Sequence, residues 1–180
     1  MKMFRAIALG WMFLSPTMLL AADPFVGKWS LDVKHSKYAA GPSPKLMTIE
    51  MSEEEHGVHY HSETVWMNGS TASADYTAEY DGQPVIVMGV KGMMLPVAVK
   101  RIKPNEVLAT YTRGMRMVAA SRRVVSAGGR TMTVTTTTWD ESRRVMTNVG
   151  VYKRLDSEAK AQRIQDVHEQ AFSLAVTPVH

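Results

Sequence analysis

Two histidines at alternate positions could bind a metal ion. His59 and His61 would point to the same side of a β-strand, because successive side chains of a strand alternate between its faces. With His56 nearby, they offer the imidazole ligands that suit Zn²⁺ and Cu²⁺. The sequence places no third ligand beside them, and an exposed strand face is the competing interpretation. We therefore expect no bound metal and no cofactor.

Two pairs of consecutive arginines, Arg122-Arg123 and Arg143-Arg144, stand at opposite ends of one predicted hairpin. Neighbours in a strand face opposite ways, so one of Arg122 and Arg123 is expected to point inward or toward a rim. An inward arginine would be a candidate binding group for an anion. A surface salt bridge is the more common outcome for arginine, and the sequence leaves both interpretations open.

The methionines form a third set with possible chemistry. Met115 and Met117 share a predicted strand face, and thioethers can bind Cu(I). Ten methionines follow residue 22, however, and they are dispersed. This distribution predicts adaptable filling of the core.

No group of residues with catalytic spacing is found. The serines lack the strained turn of a hydrolase nucleophile, and the run Glu53-Glu54-Glu55 precedes Gly57 as a solvated turn would. No phosphate-binding loop or dinucleotide motif is present. A site assembled in three dimensions leaves no local motif, but the sequence favours a protein that is not an enzyme.

The elements that must position these residues are short strands with alternating apolar residues. Turn pairs such as Asn68-Gly69, Asp81-Gly82 and Arg113-Gly114 separate them, and the connections are too short for anything but antiparallel pairing. We expect an all-β fold: a single antiparallel up-and-down β-barrel of about eight to ten strands, followed by a C-terminal α-helix. The predicted strands cover residues 25–33, 46–52, 57–67, 73–80, 85–90, 95–102, 106–112, 115–125, 130–139 and 145–155.

The N-terminal residues 1–22 have the three parts of a secretory signal peptide. Lys2 and Arg5 precede an apolar stretch over 6–14, and small residues end at Ala22. A transmembrane helix is the rival interpretation, but Pro16 interrupts the run and a span needs about 20 continuous apolar residues. We expect a periplasmic or secreted protein with a signal peptide at 1–22, a barrel domain at 23–155, and a C-terminal helix and tail at 156–180.

Composition narrows the class further. Cleavage after Ala22 leaves 158 residues with no cysteine and a net charge of +2. The sequence contains no stripe of basic residues, so it does not predict nucleic-acid binding. Asp156 or Ser157 can cap the C-terminal helix, whose polar face mixes acids and bases and so argues against membrane binding. Its apolar stripe consists of Ile164, Val167, Ala171, Leu174 and Ala175.

Both ends of the predicted barrel resemble the calycins, the group of lipocalins and fatty-acid-binding proteins. The opening 25–31 contains their Gly-x-Trp motif, and 150–154 resembles their closing strand. The resemblance implies that Trp29 packs across the barrel floor and that Arg154 covers it, forming the pair that closes the barrel. The chain is also similar to uncharacterised exported bacterial lipocalin-like proteins, through motifs at 34–38, 80–82, 100–102, 122–126 and 131–135.

The chain departs from the fatty-acid-binding pattern. In that family an arginine two residues before the final-strand tyrosine holds the ligand carboxylate, and the matching position before Tyr152 is Gly150. The stretch 34–45 is also too short for that family's two-helix lid.

These observations favour a binding protein that holds a small, mostly apolar or amphipathic ligand in the barrel. The predicted lumen residues are Tyr60, Trp66, Tyr76, Tyr80 and Tyr152. The alternative is an envelope structural, interaction or stress protein with a filled barrel. Neither a stable membrane span after cleavage nor a nucleic-acid partner is expected, and the sequence does not specify an oligomeric state.

Overall fold

The computed structural model describes residues 22–39, 43–91, 94–142 and 144–155. This part of the chain contains eleven β-strands and a short 3₁₀ turn at Val33–His35. The strands are β1 (Gly27–Leu31), β2 (Lys37–Tyr38), β3 (Pro44–Glu54), β4 (Gly57–Trp66), β5 (Thr71–Glu79), β6 (Asp81–Val85), β7 (Val97–Lys103), β8 (Glu106–Arg113), β9 (Arg116–Val125), β10 (Thr131–Trp139) and β11 (Val145–Arg154). The predicted C-terminal helix at 156–180 and, except for Ala22, the predicted signal peptide lie outside the described residues.

No helix in the described ranges has the length and apolar character needed to cross a bilayer.

The strands form one antiparallel sheet that curls into a nearly closed barrel. Neighbours in the sheet follow the order β5-β4-β3-β1-β11-β10-β9-β8-β7-β6, and β2 adds to β11. Most ladders join strands that follow each other along the chain, as in an up-and-down barrel. The pairing of β1 with β11 brings the two ends of the domain together.

A gap in the barrel remains between β5 and β6, which no ladder joins in the described sheet. The chain after β6 crosses this gap. The Asp75 N–H donates to the Met88 carbonyl at 2.7 Å, and the Met88 N–H donates back at 2.8 Å. The Ser73 N–H donates to the Val90 carbonyl at 2.8 Å, so a few backbone bonds close the gap where a full strand pair is missing.

The sixth strand differs from the sequence prediction. We expected a turn at Asp81-Gly82 and a strand at 85–90, but β6 begins at Asp81 and ends at Val85. Gly82 has φ +88° within β6, and the pairing with β7 shifts register between Asp81 and Pro84. A bulge and a tight turn both use glycine at positive φ, so the dipeptide alone does not distinguish them.

One end of the barrel, which we call the closed end, is packed to its axis. It lies where β1 begins and β11 ends. Phe25 and Trp29 are fully buried there, together with Val125 and Met132 from the facing strands. The Trp29 indole N–H donates to the Phe25 carbonyl at 2.9 Å, so the buried donor is satisfied.

Arg154 joins the first and last strands across the closed end. It stands opposite Trp29 in the β1–β11 pairing, and its guanidinium carbon lies 4.2 Å from the Trp29 ring centroid. The guanidinium also donates to the backbone carbonyls of Pro24, Val26 and Gly129. The structure thus brings together the two residues that the resemblance pairs, and it ties the segments before β1 and before β10 to one cation on β11.

Gly27, in the Gly-x-Trp motif, makes this arrangement possible. Its φ is +129°, and a Cβ built there would stand 2.5 Å from Arg154 Nη1. Any other residue would be strained and would displace the guanidinium.

We expect Arg154→Met to lower the free energy of unfolding by about 3 kcal/mol, because three carbonyls lose a charged donor. Urea unfolding followed by tryptophan fluorescence measures this. Arg130→Met, which removes an exposed arginine nearby, should change stability by less than about 0.5 kcal/mol. Equal effects of the two substitutions would contradict a closing role for Arg154.

Candidate functional site

The half of the barrel opposite the closed end contains a cavity of about 250 Å³. We call this the open end; the β4–β5, β8–β9 and β10–β11 turns lie there. Trp66 and Asn148, near the ends of their strands, line the cavity on that side. At about 30 Å³ for a water molecule in the liquid, the cavity has room for about eight water-sized groups.

The floor of this cavity is formed by side chains that meet from opposite walls. Arg123 on β9 reaches Tyr60 on β4, with the guanidinium carbon 4.6 Å from the ring centroid. Tyr60 stacks on Tyr76 of β5, with centroids 4.7 Å apart and planes 16° from parallel. All three residues are buried. The packed core of the closed end lies on the other side of this layer.

Arg123 is a buried cation, only 3% exposed. The carboxylates of the described ranges that form ion pairs do so with other cations, and none pairs with Arg123. Its Nη2 donates to the Tyr111 hydroxyl at 3.4 Å, a long bond. Burial disfavours its charge, but the oxygens of Tyr76, Tyr111 and Tyr60 outweigh burial and raise the pKa of Arg123. The guanidinium therefore stays charged.

The Tyr76 hydroxyl is also buried, and it has no hydrogen-bond partner in the described part of the chain. The Tyr76 hydroxyl lies close enough to Arg123 for the charge to affect it, but the two groups do not have the geometry of a hydrogen bond. Burial raises the pKa of Tyr76, so the phenol is a neutral donor at pH 7. An unsatisfied buried donor costs about 1–3 kcal/mol. An acceptor placed between Tyr76 and Arg123 would therefore be bound by both.

Hydroxyl side chains continue the polar wall toward the open end. Ser62 and Thr64 on β4, Ser121 on β9 and Thr136 on β10 line the cavity, and Thr136 Oγ1 donates to Ser121 Oγ at 3.2 Å. These four residues were not among those predicted from the sequence. Their position along the strand was the available signal, because residues two apart share a face of a strand. Ser62 and Thr64 therefore share the face of Tyr60, and Ser121 shares the face of Arg123.

Four of the five predicted lumen residues line the cavity, namely Tyr60, Trp66, Tyr76 and Tyr152. Whether they contact a ligand stays a prediction.

Tyr80, the fifth, is not among the residues that line this cavity and packs against the core instead. The guanidinium carbon of Arg101 lies 3.8 Å from the Tyr80 ring centroid, and Arg101 forms an ion pair with Asp23 near the closed end. Tyr80 follows Tyr76 by four residues, which is about 13 Å along a strand. The alternation of side chains along β5 predicts which face of the strand Tyr80 occupies, but it does not predict its level along the barrel axis.

Tyr152 covers Gly150, the position that matches the carboxylate-binding arginine of the fatty-acid-binding proteins. A Cβ on Gly150 would stand 2.8 Å from the ring of Tyr152. That ring covers Gly150, and its hydroxyl donates to the Met47 sulfur at 3.1 Å. The cation of this cavity therefore comes from Arg123 on β9 instead of from the last strand.

The two consecutive arginines have opposite roles. Arg122 points outward, and its Nε donates to Glu106 at 2.8 Å. Arg123 points into the lumen. Both interpretations of the pair thus apply, one to each residue.

His59 and His61 share a face, as predicted, and both bind one carboxylate. His59 Nε2 is 3.1 Å from Asp75 Oδ1, and His61 Nδ1 is 3.0 Å from Asp75 Oδ2. Burial works to raise the pKa of Asp75, but the two histidine hydrogen bonds outweigh it and lower the pKa. The described residues contain no group of three or more side chains placed to hold a metal ion.

The methionines differ from the packing prediction. Met51 and Met132 are buried in the core, but Met115 is fully exposed and Met117 is half exposed. Met115 lies in the β8–β9 turn, before β9 begins, so it has no opposite wall to pack against.

The nearly closed antiparallel barrel matches a fatty-acid-binding-protein-like fold. The structure of zebrafish ileal bile acid-binding protein complexed with cholic acid matches with a TM-score of 0.50 and 12% sequence identity. The match covers 73% of this chain and 99% of the zebrafish chain. No protein-family model and no curated protein matches the sequence. At this identity the likeness shows the fold alone.

We expect Arg123→Met to raise the free energy of unfolding of the ligand-free protein by about 1–2 kcal/mol, because it removes a buried charge with no carboxylate partner. Urea unfolding measures this. Arg122→Met is the matched control and should lower stability, since it breaks the bond to Glu106. A large loss of stability in Arg123→Met would show that the cation holds the barrel together instead of serving a ligand.

Proposed function

We propose that this chain is an exported binding protein for a small amphipathic anion. The anionic group contacts Arg123 on the cavity floor, and the apolar part extends toward Trp66 and the open end. The observation that carries this proposal is the pairing of two buried donors without a carboxylate: a guanidinium that is 3% exposed and, beside it, the unpartnered Tyr76 hydroxyl.

An anion is favoured over a neutral ligand by electrostatics. A buried charge is costly unless it is paired, and a bound carboxylate or phosphate would supply the missing partner. Tyr76 would donate to the same anion, and the tyrosines around the site are neutral, so they do not repel it. The zebrafish bile acid-binding protein, which shares this fold, is complexed with an acid, cholic acid, and this is consistent with the proposed class of ligand.

The size and walls of the cavity favour a short amphiphile. About eight water-sized groups fit within it, which corresponds to a carboxylate with about six to eight carbons, and longer chains would project through the open end. Aliphatic side chains such as Ile49, Val87 and Val134 line the space beside the hydroxyl wall. One side of the ligand can therefore be apolar while the other carries polar groups.

Binding is favoured over catalysis and over a purely structural role. The described residues that line the cavity include no aspartate, glutamate, histidine or lysine, so Ser62 and Ser121 have no base beside them. A filled barrel would favour the envelope structural alternative, and the closed half is indeed filled. The cavity in the open half is what favours a ligand.

Export is the part of the proposal that depends on the N-terminal sequence. The basic residues Lys2 and Arg5, the apolar stretch and the small residues before Asp23 support it. The absence of cysteine is compatible with either a periplasmic or a secreted location.

Calorimetric titration with octanoate tests the proposal. We expect octanoate to bind the wild type, and Arg123→Gln to weaken binding about 10- to 100-fold, the usual effect of losing a hydrogen bond to a charged group. Tyr76→Phe should weaken it about fivefold. Arg122→Gln, the outward neighbour, should bind as the wild type does.

1-Octanol is the matched probe without a charge, and it should bind more weakly than octanoate to the wild type. Equal affinity for the alcohol and the acid, or full affinity in Arg123→Gln, would contradict an anion site on the floor. Native mass spectrometry of protein from its own envelope should show a bound small acid.

A further inference from the structure

The exposed apolar side chains of this protein are concentrated at the open end of the barrel. Of the twelve large hydrophobic residues that are exposed in the described ranges, nine lie on the turns and strand ends of the open end or on the segment that crosses the adjacent gap. We call these nine the rim. They are Leu46, Met67, Ile86, Met88, Val90, Met94, Met115, Met117 and Val145.

Backbone contacts join the parts of the chain that carry the rim. The Thr112 N–H donates to the Pro96 carbonyl at 3.1 Å, which ties the segment before β7 to the β8–β9 hairpin. Arg116 Nη2 donates to the Asp140 carbonyl at 3.4 Å, which ties that hairpin to the β10–β11 turn. On the other side, Val90 is bonded to Ser73 on β5. These hydrogen bonds fix several of the segments that carry the rim relative to one another.

The side chains of the rim are very exposed, and two of them, Met67 and Met115, stand in turns. Met115 is completely exposed, Ile86 is 79% exposed and Met67 is 67% exposed. Soluble proteins expose single apolar residues often, but a concentration of this kind indicates an interaction site. Methionine is flexible and unbranched, so such tips suit a deformable partner better than a rigid, complementary one.

The charges among these tips specify the partner. Five exposed cations stand beside the rim, and the β10–β11 turn that carries part of it contributes two carboxylates, Asp140 and Glu141. Two more carboxylates lie on the strands beside the gap: Asp75, which both His59 and His61 contact, and Glu63, which pairs with Ser73 in the β4–β5 ladder. Asp140 also accepts the Arg144 N–H at 2.8 Å within its own turn. The cations are Lys45, Lys91, Arg113, Arg116 and Arg144. Apolar tips interleaved with lysine and arginine match a bilayer surface with anionic headgroups.

We propose that the rim docks the open end of the barrel on an anionic phospholipid surface. The apolar tips insert at the boundary of headgroups and acyl chains, and the cations contact the lipid phosphates. The cavity then opens toward the membrane, so an amphipathic ligand can pass between bilayer and barrel without crossing water. Docking itself does not require the proposed ligand.

The experiment uses the full chain with single cysteines, because the sequence has none of its own. An environment-sensitive fluorophore is placed on Met115→Cys at the rim or, as a control, on Ile102→Cys at the closed end, where Ile102 is 48% exposed. The vesicles contain phosphatidylcholine with about one third phosphatidylglycerol. We expect a blue shift at position 115 and none at position 102, and we expect high salt to reduce it.

Substitutions then test the surface itself. Replacing Met67, Met88 and Met115 by serine should weaken vesicle binding at least tenfold in sedimentation. The matched control, Ile102→Ser with Leu155→Ser and Arg130→Glu, should leave binding unchanged, and both variants carry the same N-terminal segment as the wild type. Arg123→Gln should dock normally, so failure of docking and failure of anion binding are distinguishable.

Three results would overturn the proposal. They are the absence of a shift at position 115, equal shifts at 115 and 102, and binding to pure phosphatidylcholine that is as tight as binding to the anionic vesicles. Light scattering that shows a dimer in solution, which the rim substitutions convert to a monomer, would assign the rim to a second copy of this chain instead.

Discussion

The structure depends on a single cation that ties the two ends of the barrel together. Arg154 stacks on Trp29 and donates to carbonyls before β1 and before β10. The closing strands β1 and β11 therefore cannot separate without losing the stacking on Trp29 and the bonds to Pro24 and Val26. Gly27 leaves the space that the guanidinium needs. Because this network and Phe25 fill the closed end, the open space of the barrel is confined to the other half.

The two interior arginines have different roles because one lies in the packed half of the barrel and the other borders the open half. Arg154 is fully used by carbonyls and a ring, and it stabilises the fold. Arg123 is as deeply buried as a core residue. It lies over the ring of Tyr60 and donates one long hydrogen bond to Tyr111, and no carboxylate of the described ranges pairs with it. A buried cation without a carboxylate partner lowers the stability of the ligand-free protein. A ligand that supplies an anionic group would explain why this cation is present.

Much of the fold could be predicted from the sequence because period-two alternation and turn dipeptides are local signals. The antiparallel all-β barrel and the Trp29–Arg154 pair follow from them and from the resemblance.

The start of β6 could not be predicted, since Gly82 at positive φ fits a turn and a bulge equally well. Tyr80 was placed in the lumen because parity gives the face of a strand and not the level at which opposing walls meet. Arg122 and Arg123 were ambiguous because both faces of β9 carry apolar residues, Val118 and Val124 on the side of Arg122 and Ala119 and Val125 on the side of Arg123. The exposed methionines of the rim follow from turn positions, which composition does not reveal.

The most direct test of the account is a crystal structure of the protein with octanoate. The account predicts the carboxylate on the cavity floor, with its oxygens about 3 Å from the guanidinium of Arg123 and from the Tyr76 hydroxyl, and with the chain directed toward Trp66. A carboxylate that faces solvent at the open end with its chain on the floor, or an octanoate found outside the barrel, would contradict it.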